Sequence, residues 1–145
     1  MSETKRKKVV VKQVSGITLV AKGDSNHWVV MDGPETFGGS LAGSRPMELI
    51  LMGLGGCTGM DVVSILQKKR VNLKDFKVEI EAETAPEHPK VYTKIWVKFL
   101  FYGKGIREED VKRAIDLSKD KYCSVSAMLK PTVEIFYDYE IIEQE

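Results

Sequence analysis

Two cysteines and two histidines among 145 residues leave few side chains for metal or nucleophilic chemistry. No C-x-x-C or H-E-x-x-H spacing occurs, and His27 and His88 stand alone in the sequence. No metal site and no bound cofactor are therefore expected. The net charge of +1 excludes a strong global attraction to nucleic acid or to an anionic membrane, so neither is expected as a partner. The basic run Lys5 to Lys8 reads as a solvated arm ahead of a strand. The first residues lack the apolar core and small-residue cleavage site of a signal peptide. The longest apolar stretch, Leu49 to Cys57, is far shorter than a bilayer requires. The expected compartment is the reducing cytosol, where a transient redox disulfide is a more natural use of two cysteines than a persistent one. Repeats, low-complexity tracts and Pro/Ser-rich linkers are also lacking, so one domain over residues 1–145 is expected.

What is present is patterned. Residues 7–14, 17–22 and 27–32 are rich in Val, Ile and Leu and are separated by turn residues, which predicts three short strands. A glycine-bearing loop, Gly33 to Arg45, follows and reads as a flexible connector. Pro46 suits the first position of a helix, and Glu48 lies in its first turn, where a carboxylate meets the positive helix end. That helix is expected to run to about Arg70 and to be buried on every side, because its first half is apolar nearly all round. Phe76 to Thr84 and Lys90 to Tyr102 alternate with period two, as an antiparallel hairpin with one wet face would. Lys94 and Lys98 are then expected opposite the Glu79, Glu81, Glu83 row.

Arg107 to Tyr122 is amphipathic, with Val111, Ala114, Ile115, Ser118 and Tyr122 on one stripe. A short helix should start near Cys123, Pro131 should end it, and a strand should run from Thr132 to Ile142. The resulting order, βββ-α-ββ-α-β apart from that short helix, argues for an α+β fold rather than a doubly wound parallel sheet.

Gly53, Gly55, Gly56 and Gly59 fall inside the long apolar helix, where each costs about 1 kcal/mol relative to alanine. The spacing misses the G-x-G-x-x-G fingerprint of a dinucleotide turn, and a helix start precedes it where that motif needs a strand. Close helix packing accounts for the glycines, whether or not Cys57 is reactive. Cys123 is expected at a helix start beside Lys121, a setting that lowers a thiol pKa, so it looks at least as activated as Cys57. Composition by itself favours the other reading, two buried cysteines acting as small hydrophobes.

The segment from Arg45-Pro46-Met47-Glu48-Leu49 through Gly53-Leu54-Gly55-Gly56-Cys57-Thr58-Gly59 to Val63 resembles the central-helix signature of the OsmC/Ohr family. Lys121-Tyr122-Cys123-Ser124-Val125-Ser126 resembles that family's second cysteine motif. The element order matches as well, and the chain looks similar to the uncharacterised OsmC-like branch.

The resemblance implies an OsmC-like fold in an intertwined homodimer with buried central helices. It implies a thiol-dependent peroxidase that reduces organic hydroperoxides in oxidative stress defence. Cys57 would be the attacking thiolate and Cys123 the resolving thiol, with an external dithiol as reductant. Family peroxidases tune the thiolate with a Glu directly after the conserved Pro and with an Arg. Here Met47 holds the place after Pro46, so the candidates are Glu48 and Arg45. On a straight helix, nine residues put Glu48 and Cys57 on opposite faces, with about 13 Å of rise between them. Helix-end stabilisation is the competing role for Glu48. The alternative function is a binding or redox-sensing relative with little or no hydroperoxide turnover.

Overall fold

The computed structural model describes residues 6–145; the first five, including Lys5 of the basic run, lie outside the described residues. The chain divides into two compact units, one reaching Ile50 and the other running from Leu51 to Glu145.

The first unit holds an antiparallel sheet of β1 (Val10–Ser15), β2 (Thr18–Lys22) and β3 (Val29–Met31), with β2 central. The three expected strands all form, each slightly shorter than its apolar run. Val10, Val11 and Val14 of β1 and Val29 and Val30 of β3 remain exposed, so the sheet carries far more apolar surface than its own unit covers.

The loop after β3 is held more firmly than a flexible connector. Asp32 is 3% exposed, and its carboxylate accepts hydrogen bonds from four donors. These are the Thr18 hydroxyl (2.8 Å) and the backbone amides of Gly33 (2.8 Å), Ser40 (3.1 Å) and Ala42 (3.1 Å). One buried acid thereby satisfies the turning backbone of a loop that has almost no ladder of its own.

In the second unit, β4 (Leu73–Thr84) and β5 (Tyr92–Gly103) form the expected hairpin, and β6 (Glu134–Glu143) pairs parallel to β5 on its other side. The register sets Glu79 opposite Lys98 and Glu83 opposite Lys94. The ion pair Lys98 actually makes is with Glu140 of β6, at 3.4 Å on an exposed face. Ile95, Val97, Phe99 and Phe101 of β5 are buried, and Phe76 of β4 packs on Phe99 and Phe101 with ring centroids 6.4 and 5.3 Å apart.

Helix α1 (Pro46–Lys68) is unbroken through its four glycines, which disposes of a dinucleotide turn. Its 23 residues are apolar enough, by length and composition, to cross a bilayer, unlike the short run Leu49 to Cys57 considered alone. One face of it is packed: Leu54, Val62 and Leu66 are fully buried in a cluster with Ile95, Phe99 and Val111. The expectation of burial on every side fails for the single chain, because Met52 and Met60 are 53% and 76% exposed. α2 (Glu108–Leu117) buries Val111, Ala114 and Ile115 as its period requires. It then widens into a π-helical turn over Ser118–Tyr122. The extra residue in that turn rotates Tyr122 off the buried stripe, leaving it 49% exposed. α3 (Ser124–Leu129) follows directly.

The Asp32 network has a pH signature. Burial by itself would raise the pKa of this carboxyl, but the bonds from Gly33, Thr18, Ala42 and Ser40 outweigh it and hold the pKa below the ordinary 3.8. A depressed carboxyl contributes stability above its unfolded value that is lost as pH falls through its native one. The protection of the Ser40 and Ala42 amides, measured as exchange relative to the unstructured rate at the same pH, should therefore fall below about pH 4. In an Asp32→Ala variant that exchange should already be fast at neutral pH.

Candidate redox site

Helix geometry sets the first half of the site. On α1, Cys57 and Asp61 are four residues apart and project from one face, while Thr58 lies one residue further round. The face bearing Gly55 and Gly59 rests on β4. A Cβ on Gly55 would stand 2.9 Å from Ile80 Cδ1, and one on Gly59 would stand 3.5 Å from both Phe76 and Val78. Two of the four glycines thus face a close neighbour, but it is a strand and not the second helix expected. Gly53 and Gly56 face open space.

The π-helical turn supplies the second half. The Cys123 amide donates to the Ser118 carbonyl five residues back, at 2.8 Å. Cys123 then caps α3, its Sγ accepting from the Ser126 amide at 3.4 Å, while the Ser126 hydroxyl donates to the Cys123 carbonyl at 3.0 Å. Ligand atoms of Cys57, Asp61 and Cys123 lie within 4.8 Å of one another. Both cysteines are free thiols, Cys57 partly buried and Cys123 3% exposed.

Beneath the sulfurs runs a directed chain of hydroxyls. Ser118 Oγ donates to Asp61 Oδ2 at 2.9 Å, which commits its only proton. Thr58 Oγ1, 2.8 Å from Ser118 Oγ, must then be the donor in that bond. Thr58 and Ser118 are 1% and 0% exposed, and this order satisfies both hydroxyls. A cleft of about 400 Å³ opens beside Asp61, bounded by Ser64, Ile65, Leu117 and Tyr122 among others.

The structure therefore brings together Cys57 and Cys123 and adds Asp61, Thr58 and Ser118, which the sequence reading had not singled out. The i, i+4 spacing of Cys57 and Asp61 was the available signal. Arg45 and Glu48 engage each other at the start of α1, where Glu48 Oε1 accepts from the Arg45 amide at 2.8 Å. This is one half of a capping box, and it realises the helix-end role for Glu48.

The expected activation of Cys123 is reversed. Burial pushes its thiol above the ordinary 9.0; the Ser126 contacts oppose that shift, and the neighbouring Cys57 thiol adds to it. Lys121, the cation expected to help, lies over the Tyr122 ring at 5.2 Å. Burial likewise pushes the phenol of nearby Tyr137 up, against a hydrogen bond with Ser126.

A raised thiol keeps its proton in the native state while the unfolded chain loses it, so this group's contribution to stability falls as pH rises through about 9. Iodoacetamide should accordingly label the more accessible Cys57 first. Native Cys123 should resist labelling at pH 8 and become reactive only well above pH 9, as peptide mass spectrometry would show.

Comparison with known proteins agrees with this architecture. The family model described as OsmC-like protein matches residues 38–137. Protein YhfA of Escherichia coli is 42% identical over 132 residues, covering 91% of this chain and 96% of that one. The crystal structure of a hypothetical protein from Aquifex aeolicus superposes with a TM-score of 0.85 at 33% identity, over 98% of this chain and 100% of that one. An organic hydroperoxide resistance protein OsmC from Legionella pneumophila shares the fold, with a TM-score of 0.69 at 11% identity over 96% and 99% of the two chains. The match of the family model over residues 38–137 and the 42% identity to YhfA make this chain a member of the OsmC-like family.

Proposed function

We propose that the chain is a thiol-dependent peroxidase for organic hydroperoxides, working in the reducing cytosol in defence against oxidative stress. The observation that carries this reading is the convergence of two free thiols from distant segments within 4.8 Å, beside a carboxylate. In the reaction, the Cys57 thiolate attacks one peroxide oxygen and the O–O bond breaks. Cys57 becomes a sulfenic acid and the alkoxide leaves as an alcohol after taking up a proton. The Cys123 sulfur then attacks Cys57, the S–S bond forms, and hydroxide departs as water with the proton Cys123 gives up. Asp61, whose carboxylate oxygen lies within 4.8 Å of both sulfurs, is placed to relay that proton to the departing hydroxide. An external dithiol returns both thiols to the reduced state, and the cycle needs no resident cofactor.

Addition of one equivalent of cumene hydroperoxide to the reduced protein should consume both thiols and yield a Cys57–Cys123 linked peptide. Cys57→Ser should lower peroxide consumption to the uncatalysed background; equal consumption by the variant would overturn the reading. A second reading, a redox-sensing relative with slow turnover, draws support from Glu48, whose carboxylate is engaged by the Arg45 backbone amide at the helix start. Rapid dithiol-driven turnover excludes it.

The working unit is a homodimer. Its support is the uncovered apolar face of α1, where Met52 and Met60 are exposed and Gly53 and Gly56 leave room for close approach. The first sheet separately leaves Val10, Val11, Val14, Val29 and Val30 exposed. Exposed apolar faces of this kind mark protein–protein contact surfaces. A Met60→Glu substitution should therefore shift the protein from dimer toward monomer in sedimentation experiments at micromolar concentration.

A further inference from the structure

We propose that the reduced chain binds one thiophilic divalent cation of the Zn²⁺ class through Cys57, Asp61 and Cys123. The ligand atoms of these three residues already lie within 4.8 Å of one another. Zn–S distances near 2.3 Å and Zn–O distances near 2.0–2.2 Å put ligands of a tetrahedral ion about 3.4–3.8 Å apart, so side-chain rotations on the order of 1 Å complete the site. Three protein donors leave a fourth position for water.

The scaffold favours this arrangement. Cys57 and Asp61 come from successive turns of one helix face, a spacing suited to two ligands on one ion. Cys123 is fixed at the start of α3 by its bonds to Ser118 and Ser126. Asp61 is held from behind by Ser118, itself held by Thr58, the kind of outer-shell support that orients a ligating carboxylate. Two sulfur donors select against Mg²⁺ and Ca²⁺, which prefer all-oxygen sites.

Binding at pH 7 displaces the thiol protons into solvent, so affinity rises with pH. The bound ion holds both sulfurs apart as thiolates and competes with formation of the Cys57–Cys123 bond. Conversely, oxidation to the disulfide removes two of three donors and expels the ion. The site requires reduced thiols only and stands independently of peroxide turnover.

The test is titration of the reduced, full-length protein with Cd²⁺, followed by its sulfur-to-metal charge-transfer absorbance, and with Zn²⁺ by calorimetry. One ion per chain should bind with a Kd of about 1 µM or tighter. Cys57→Ser and Cys123→Ser should each lose most of the band. Asp61→Asn should weaken Zn²⁺ binding about tenfold or more. Wild-type protein oxidised with diamide, which needs no substitution and so no refolding argument, should bind no ion. Absence of the band in the reduced wild type would overturn the proposal. Unchanged affinity in either cysteine variant, in Asp61→Asn or in the oxidised protein would overturn it equally.

Discussion

The close contact of α1 with β4 is the constraint on which the second unit depends. A Cβ on Gly55 would press on Ile80 Cδ1, and one on Gly59 would already touch Phe76 and Val78, so neither position has room for a large side chain. Leucine or valine at these positions would lift the helix off the sheet. The lift would carry Thr58 away from Ser118 and Cys57 away from Cys123, since both α1 residues sit on one helical turn. The helical cost of the glycines, about 1 kcal/mol each, is thereby offset by packing that also assembles the site.

A second consequence of that packing is polarity in a core. Thr58, Ser118 and Ser126 are almost wholly inaccessible, yet each finds a partner. Buried hydroxyls without partners would cost roughly 1–3 kcal/mol apiece. With partners, they fix the positions of Asp61 and Cys123 more narrowly than apolar side chains would.

Most of the regular structure was legible in the sequence because it rests on local periodicity. The alternation of Phe76 to Thr84 foretold the hairpin faces and set Lys94 and Lys98 opposite the Glu79, Glu81, Glu83 row; the register resolves this into Glu79–Lys98 and Glu83–Lys94. Other features depend on non-local choices. The parallel pairing of β6 with β5 has no signature within either strand. The π-helical turn changes the register by one residue, which a search for three- and four-residue steps overlooks, and Tyr122 was misplaced as a result. The cysteine pair was legible through its flanking motifs. Asp61 was not, since a single acid on an apolar helix looks like a surface residue until Ser118 arrives from 57 positions away. Cys123 was misjudged because a helix start and a nearby lysine suggest a low pKa, whereas burial dominates. Asp32 shows the same limit: nothing local marks one aspartate as the anchor of the following loop.

The π-helical turn bears on how this site can change over evolutionary time. An ordinary α-helix turns about 100° per residue. Deleting one residue from Ser118–Tyr122 would swing Cys123 by about that angle, away from Cys57, while the rest of the fold could still form. Insertions and deletions should therefore be purged from this five-residue segment, even though its middle residues are exposed lysines and an aspartate whose identities matter little. Selection there acts on length rather than on side chains.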